Sequence, residues 1–153
     1  MLAGLGTDGA ASNNDLDMFE AMRVAALLQK VATMDPRTMP ARETLALATR
    51  RGAAALGLGS KIGSLEAGRQ ADIITIDVSG ARQTPMFDPI SHIVYVAHGG
   101  DVRTTIVAGR VLMHDGNLTS LDRVQTLRDA RAMAERVKAA VTPQTTTAGI
   151  GKE

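Results

Sequence analysis

The chain has 153 residues, enough for one ordinary domain, and 44% of them are hydrophobic, which excludes an intrinsically disordered protein. Its 17 basic and 16 acidic side chains leave a net charge of +1, so the composition gives no electrostatic reason to expect binding to nucleic acid or to an anionic membrane. With no cysteine, no apolar run of about 18 residues and no secretory signal pattern at the N-terminus, a cytoplasmic protein without disulfides or thiolate metal ligands is expected.

The chain begins with a short apolar segment, residues 1–6, that runs directly into an acid. Its residues are apolar or small and do not alternate with polar ones, which is typical of a strand that is buried on both faces. Asp8 follows this segment and opens a loop of small and polar residues, 9–14. Catalytic side chains lie at the C-terminal ends of parallel barrel strands, so Asp8 is a candidate active-site carboxylate. The alternative is an Asx turn or cap that only organises the loop.

Two helical segments are predicted next. Asn14 is expected to cap the first helix, which should end near Met34 because Asp35 and Pro36 follow. Its apolar stripe consists of Leu16, Phe19, Met22, Ala26, Leu27 and Val31. A second helix should begin at Pro40 and continue toward Leu56, with a break near Arg51 and Gly52.

From Lys61 onward the pattern changes to strands and turns. Segment 71–77 predicts a β-strand, and segment 90–97 is compatible with either a strand or a short helix. Segments 102–107 and 110–113 predict a hairpin that turns at Ala108 and Gly109.

The C-terminal part of the chain predicts one more helix. Ser120 is expected to cap an amphipathic helix that runs to about Val141 and must pack against another surface. Residues 142–153 contain few apolar side chains to offset the cost of ordering, so a flexible tail is expected there.

Two of these segments resemble signatures of the amidohydrolase superfamily. Residues 6–18, GTDGAASNNDLDM, resemble its eighth-strand motif, with the best match in the TRZ/ATZ branch of 5-methylthioadenosine/S-adenosylhomocysteine deaminases and triazine hydrolases. Residues 62–74, IGSLEAGRQADII, are similar to the segment that leads this family's chain out of the barrel into a small β-sandwich. The spacing of the two segments and the later hairpin also match, so the resemblance covers roughly residues 1–141.

The resemblance implies an α/β fold: the C-terminal fragment of a metal-dependent (β/α)8 barrel, part of a small β-sandwich and a terminal helix. Residues 1–57 would hold the last strand and helices of the TIM-type barrel. Residues 58–118 would form the C-terminal part of the sandwich, 119–141 the terminal helix and 142–153 the tail.

The resemblance also implies a role for Asp8. In complete enzymes of the family, the acid at this position contacts a divalent metal, commonly zinc or iron, and helps to deprotonate the metal-bound water that attacks a purine or triazine ring. Asp8 is therefore expected to be catalytic, to touch substrate and to bind the metal, and Ser12 is expected in the wall of the substrate pocket. The chemistry is consistent, because a metal lowers the pKa of bound water and a nearby carboxylate can accept its proton.

The other metal ligands of the family, including a His-x-His pair, would lie upstream of Met1. A catalytic zinc needs three protein ligands, so the fragment alone is expected to bind no metal and to be inactive. Whether Met1 is a natural start or a truncation stays open at this point.

The expected function is therefore that of the C-terminal part of a metal-dependent deaminase, homo-oligomeric, acting on methylthioadenosine or S-adenosylhomocysteine. One alternative is a non-catalytic assembly module, because an open barrel leaves a strand edge and apolar helix faces that could pair with a second copy or with the missing half. The other is a hydrolase of the same superfamily for a triazine or guanine-type ring.

The remaining polar and glycine residues are interpreted as structural. Loop capping is at least as good an explanation as substrate contact for Ser12 and its two neighbours, Asn13 and Asn14. The histidines are expected to be surface or packing residues, and the glycines mark turns because no phosphate-binding pattern surrounds them. These residues are His92, His98, His114, Gly63, Gly68 and Gly109, together with Asp72 at the entrance of a strand.

Overall fold

The computed structural model describes residues 2–141, which fall into two compact units divided between Thr119 and Ser120. The first unit is a mixed α/β structure, as predicted. Its helices are α1 (Ala10–Asn13), α2 (Met18–Thr33), α3 (Ala41–Ala48), α4 (Arg50–Ala55) and α5 (Pro89–Tyr95). Its strands are β1 (Ile73–Ile76), β2 (Val102–Val107), β3 (Arg110–His114) and β4 (Asn117–Leu118), with 3₁₀ turns at Ala81–Gln83 and Gly99–Asp101. The second unit contains α6 (Arg123–Val141).

The N-terminal segment lies against α3 and α4 and is not part of a sheet. The backbone N–H of Leu5 donates to the carbonyl oxygen of Leu47 at 3.1 Å, and Gly4 lies against the backbone of Gly52. Residues 1–6 were predicted to form a strand. For residues 2–6, which the structure describes, this prediction was wrong, because a strand needs a hydrogen-bonded neighbour and no described strand pairs with this segment.

The start of α2 differs by a few residues from the prediction. Asn14, with a φ of 62°, ends the single turn of α1 and does not cap α2. The cap is Asp17, whose Oδ1 accepts from the backbone N–H of Phe19 at 2.8 Å. The helix ends at Thr33, and Met34 adopts the left-handed conformation that closes many helices, so the predicted end is confirmed.

Helices α3 and α4 form the predicted interrupted helix. Pro40 precedes α3 as its N-cap, and the break falls at Thr49, two residues earlier than expected. The hydroxyl of Thr44 is fully buried and donates to the carbonyl oxygens of Met39 and Pro40. These two contacts satisfy a polar group that would otherwise be costly to bury.

The four strands form one antiparallel sheet in the order β1-β2-β3-β4. Ile73 pairs with Ile106, and Met113 pairs with Thr105. The predicted hairpin between β2 and β3 is confirmed: Ala108 and Gly109 both have positive φ, as the type I′ hairpin turn requires.

Segment 90–97, for which the sequence allowed a strand or a short helix, is largely helical. Pro89 occupies the first turn of α5, where its missing N–H costs nothing. The Oδ1 of Asp88 accepts from the backbone N–H of Ile90 at 2.9 Å and caps the helix.

The core of the first unit is small and lies between α2 and the α5 segment. Phe19, Met22 and Ala26 of α2 pack with Val94 and Ala97, and all five are at least 93% buried. The predicted apolar stripe of α2 therefore supplies most of the core, whereas Leu27 and Val31, at its edge, are exposed.

The second unit is described up to Val141. Its helix α6 confirms the predicted helix, but the Oδ1 of Asp122, not Ser120, accepts from the backbone at Gln125 near the helix start. The apolar side chains of α6, such as Val124 and Val137, are exposed. The predicted tail, residues 142–153, lies outside the described residues. Within residues 2–141, no helix has the length and apolar character needed to cross a membrane.

Candidate functional site

An open cleft of about 470 Å³ lies beside the N-terminal segment and contains both residues singled out by the sequence. Asp8 and Ser12 line it together with Asn13, on the side formed by the N-terminal segment and its loop. The other side is a face of α2 that consists of Glu20, Ala21, Val24, Ala25 and Leu28. The fold therefore places the candidate carboxylate and the candidate hydroxyl at one cleft.

Asp8 is exposed and adopts an uncommon backbone conformation, with a φ of 59°. Aspartate reaches this left-handed region more readily than most residues because its short polar side chain bonds locally. Its Oδ1 accepts from the backbone N–H of Gly9 at 2.7 Å, and the hydroxyl of Thr7 donates to its carbonyl oxygen at 3.0 Å. These bonds fix the carboxylate at the cleft through one oxygen and leave Oδ2 for a ligand.

The loop after Asp8 is held by its own hydrogen bonds. The backbone N–H groups of Ser12 and Asn13 both donate to the carbonyl oxygen of Gly9 at 3.0 Å. The side chain of Asn13 donates to the carbonyl oxygen of Asp15 at 3.2 Å, which is the loop-organising role expected of it. Ser12 is exposed at the cleft, so its hydroxyl can reach a bound molecule.

Two further carboxylates, Asp15 and Glu20, line the same cleft and were not predicted as site residues. The Oδ1 of Asp15 accepts from the backbone N–H of Leu16 at 2.7 Å, an arrangement that repeats the one at Asp8. The sequence contains one signal for Glu20. It follows the cap Asp17 by three residues, and this position lies on the face of α2 that lines the cleft with Asp8.

The described residues do not fit a complete metal centre. Residues 2–141 contain no group of three or more histidine, aspartate or glutamate side chains arranged to hold a metal ion. His92 lies on α5, His98 precedes a 3₁₀ turn and His114 ends β3, so the three histidines are in elements that do not line the cleft. Catalytic zinc sites use three protein ligands, and the described part of the chain offers no such group.

The carboxylates with shifted pKa values lie away from this cleft. Hydrogen bonds from Arg37 lower the pKa of Asp35, and hydrogen bonds from Ser79 lower the pKa of Asp77. A hydrogen bond from Ser64, with a further contribution from Arg69, lowers the pKa of Glu66. In all three residues these interactions stabilise the charged carboxylate at the surface. The lowered pKa values therefore do not indicate a catalytic group.

A second cleft, of about 420 Å³, is mainly apolar and lies between the α3–α4 region and β1. Asp72 lies at its edge, but its Oδ1 accepts from the backbone N–H of Ala108 at 2.7 Å. This bond ties the start of β1 to the hairpin turn and confirms the structural role expected for Asp72.

The chain belongs to the amidohydrolase family, whose family model matches residues 1–112. It is 51% identical over 133 residues to a 5'-deoxyadenosine deaminase of Methanosarcina barkeri, a match that covers 87% of this chain and 30% of the relative. It is 44% identical over 135 residues to 5-methylthioadenosine/S-adenosylhomocysteine deaminase 1 of Syntrophus aciditrophicus, covering 88% of this chain and 30% of the relative. The chain thus spans about 30% of the length of these relatives.

Two solved structures superpose on most of this chain. An adenosine deaminase from Xanthomonas campestris with bound zinc superposes with a TM-score of 0.86 at 38% identity, covering 89% of this chain and 31% of that one. The atrazine chlorohydrolase TrzN from Arthrobacter aurescens TC1, complexed with zinc, superposes with a TM-score of 0.77 at 30% identity. This match covers 87% of this chain and 30% of the chlorohydrolase chain. The resemblance deduced from residues 6–18 and 62–74 is therefore confirmed at the level of the family.

Proposed function

We propose that this chain is the C-terminal part of a hydrolase that removes the exocyclic amino group of a purine nucleoside. The substrate class is that of 5'-deoxyadenosine, methylthioadenosine and S-adenosylhomocysteine, which the names of the similar proteins carry. The observation that carries the proposal is Asp8, a carboxylate fixed through one oxygen at a cleft that also exposes Ser12. The proposal includes a cytoplasmic location and a homo-oligomeric assembly for the complete enzyme.

The proposed architecture is the end of a (β/α)8 barrel over residues 1–57, followed over residues 58–118 by part of a β-sandwich. Support comes from the superposition on a zinc-containing deaminase at a TM-score of 0.86 over 31% of that chain. It also comes from residues 2–7, which belong to no helix or sheet and are attached to α3 through the bond between Leu5 and Leu47. In a closed barrel two neighbouring strands would pair with this segment.

The reaction would add water to the purine carbon that bears the amino group and release ammonia. As the water oxygen bonds to this carbon, Asp8 would accept one proton of the water through Oδ2 and return it to the amino nitrogen. The carbon–nitrogen bond would then break with release of ammonia, and the second water proton would end on the neighbouring ring nitrogen. A carboxylate is suited to this step when it is ionised at neutral pH and lies within hydrogen-bond reach of the water. Ser12 would donate a hydrogen bond to the substrate at the rim of the cleft.

Zinc in two of the similar structures supports a divalent metal, zinc or iron, in the complete enzyme. Asp8 would be one ligand of such a metal, and the others would come from the part of the relatives that this chain does not span. The residues described here do not form that site by themselves, so no step of the reaction is assigned to a metal.

The test is a chimaera in which this chain replaces the segment that it matches in the Methanosarcina barkeri deaminase. Asp8→Asn is the informative variant, because asparagine also tolerates the left-handed backbone and its amide oxygen can accept from Gly9. The rate constant kcat for release of ammonia from 5'-deoxyadenosine is expected to fall between about 100-fold and 10,000-fold, the usual contribution of a general base. The thermal unfolding midpoint should stay unchanged.

The matched control is Asp15→Asn, which removes a carboxylate that lines the same cleft and bonds its neighbour's backbone in the same way. This variant should keep most of the activity. Full activity of Asp8→Asn in a folded chimaera would contradict the proposed role of Asp8.

A second candidate, the assembly module, is favoured by one observation. The α2 side chains Leu27, Leu28 and Val31 are between 48% and 69% exposed, and Leu28 lines a cleft with the N-terminal segment, which pairs with no described strand. Such surfaces promote association. A purified chain that elutes as a clean monomer in size-exclusion chromatography with light scattering would contradict this candidate.

A third candidate keeps the fold and changes the ring to a triazine. Its support is the superposition on an atrazine chlorohydrolase at 30% identity, which is lower than the identity to the deaminases. The deaminase proposal is therefore preferred.

A further inference from the structure

We propose that Asp17 and Arg23 are positioning residues that hold α2, one wall of the candidate cleft, against the backbone of residues 97–99. The inference deepens the proposed function, because it concerns the same cleft. Its main test measures the structure of the cleft and does not depend on activity.

Asp17 makes two hydrogen bonds with different consequences. Its Oδ1 accepts from the backbone N–H of Phe19 at 2.8 Å, which caps α2. Its Oδ2 accepts from the backbone N–H of Gly99, also at 2.8 Å, across 82 residues of chain. The first bond would suffice for a cap, so the second oxygen joins the start of the helix to a distant segment.

Arg23 makes a second connection to the same segment. One of its terminal guanidinium nitrogens donates to the carbonyl oxygen of Ala97 at 2.9 Å, across 74 residues. Ala97 is 98% buried in the core beside Phe19 and Met22. The two ends of residues 97–99 are thus held by opposite charges on one helix, and bonds to charged groups are the stronger kind.

The segment that these residues hold is itself anchored. The Oδ2 of Asp101 accepts from the backbone N–H of His98 and from the side chain of Gln83, both at 2.9 Å. Asp101 also forms an ion pair with Arg82 and precedes β2 directly. Asp17 therefore connects α2 to a part of the molecule that is fixed to the sheet.

The two walls of the cleft share the hydrophobic core, against which Leu5 packs, but their hydrogen bonds go to different parts of the chain. The wall that carries Asp8 is fixed to α3 through the bond between Leu5 and Leu47. The other wall is α2, and the loop between the walls, residues 9–16, ends at Asp17. Loss of the bond to Gly99 would make Asp17, where this loop joins the helix, more mobile.

The test uses hydrogen exchange of backbone amides in the 153-residue chain. Asp17→Asn keeps an oxygen for the cap but presents an NH₂ donor to the N–H of Gly99. Exchange is expected to accelerate about tenfold or more at Gly99 and at residues 12–14, as for the loss of a hydrogen bond to a charged group. The amide of Ala26, in the core, should change much less.

The matched control is Asp88→Asn, which alters a helix cap of the same local geometry at α5. It should accelerate exchange only within α5. If Asp17→Asn accelerates exchange at residues 12–14 no more than Asp88→Asn does, the proposal is overturned.

A second pair of variants leaves Asp17 intact and covers the case in which Asp17→Asn fails to fold. Gly99→Pro removes the donor, and proline suits this position because His98 is extended (φ −133°, ψ 161°) and Gly99 begins a 3₁₀ turn. Gly99→Ala keeps the donor and introduces a β-carbon 3.3 Å from the Oδ2 of Asp17, so it controls for bulk. Faster exchange at residues 12–14 in the proline variant than in the alanine variant supports the proposal, and equal exchange overturns it.

The chimaera described above separates this inference from the proposed function. Asp17→Asn should lower kcat about tenfold while the KM changes less than twofold, whereas Asp88→Asn should leave both constants unchanged. Full activity of Asp8→Asn would overturn the proposed function and leave the exchange result standing. Loss of activity in Asp8→Asn, with Asp17→Asn behaving like Asp88→Asn, would overturn only the positioning role.

Discussion

Gly4 and Gly52 lie so close together that a β-carbon on Gly4 would be 2.7 Å from the Cα atom of Gly52. This contact lets the N-terminal segment approach α4 without an intervening side chain. It lies one residue before the hydrogen bond between Leu5 and Leu47 that attaches the same segment to α3. The position of the segment that carries Asp8 therefore depends on the absence of a side chain at residue 4.

Gly4→Ala is expected to destabilise the chain by about 1 to 3 kcal/mol, the usual cost of overpacking, because the added methyl group meets backbone that cannot rotate away. Gly6→Ala is the control, since a β-carbon at Gly6 has no atom within 4 Å. Urea unfolding followed by circular dichroism measures both. Equal stability of the two variants would show that the contact with Gly52 adapts.

A second pair of glycines separates backbone strain from crowding. Gly63 and Gly68 both have positive φ, 95° and 87°, but a β-carbon at Gly63 would lie 2.8 Å from the β-carbon of Ala53, whereas Gly68 faces open space. Gly68→Ala should cost about 1 to 2 kcal/mol for the left-handed backbone alone. Gly63→Ala should cost about 1 to 3 kcal/mol more, measured as the difference in free energy of unfolding. A smaller loss in Gly63→Ala than in Gly68→Ala would contradict this interpretation.

The surface carboxylate of Asp77 predicts a dependence of stability on pH. Hydrogen bonds from the side chain and backbone of Ser79, with an added contribution from Arg103, hold its pKa below the ordinary value of 3.8. Because the folded pKa is depressed, the carboxylate contributes its full stabilisation above the unfolded pKa and loses it as the pH falls through the folded pKa.

Asp77→Asn should therefore lower stability at pH 6 and show a weaker loss of stability than the parent chain below pH about 4. NMR titration of the side-chain carboxyl carbon gives the folded pKa directly. Ser79→Ala is the companion variant, because it should raise that pKa toward the ordinary value. A folded pKa at or above 3.8 in the parent chain would contradict the prediction.

Zinc binding by the isolated chain is expected to be weak and independent of Asp8. One carboxylate does not replace the three ligands of a catalytic zinc site. Residues 2–141 contain no group of three or more side chains that could hold a metal ion. Calorimetric titration of the parent chain and of Asp8→Asn should give dissociation constants within about twofold of each other, since a single exposed ligand adds little. Tight binding that disappears in Asp8→Asn would mean that the chain assembles a metal site by itself.

The sequence predicted those elements whose signals are local. The spacing of Phe19, Met22 and Ala26 identified the buried face of α2, and the pair Ala108-Gly109 identified the hairpin turn. The N-terminal segment was wrongly predicted as a strand, because a segment becomes a strand only when another strand lies beside it. The cap of α2 was misplaced for a related reason: Asn14 and Asp17 are both good caps, and a contact with Gly99 holds Asp17 in place.

The candidate site was predictable in part. Asp8 was chosen from the residues themselves and from the family motif, Ser12 from the family motif alone, and both line one cleft. Glu20 was not chosen, because its place in the cleft depends on how α2 folds back beside the N-terminal segment. The linkage of Asp17 and Arg23 to residues 97–99 joins parts of the chain more than 70 residues apart, and no local pattern indicates it.

The positive φ of Asp8 has a consequence for how this protein's descendants can change. Asparagine and glycine are the replacements that such a backbone accepts most easily, and each is one nucleotide away from either aspartate codon. On the proposed role of Asp8, a single point mutation would silence the chemistry while the fold persisted, so catalytically dead paralogues with asparagine or glycine at this position should be able to arise in one evolutionary step.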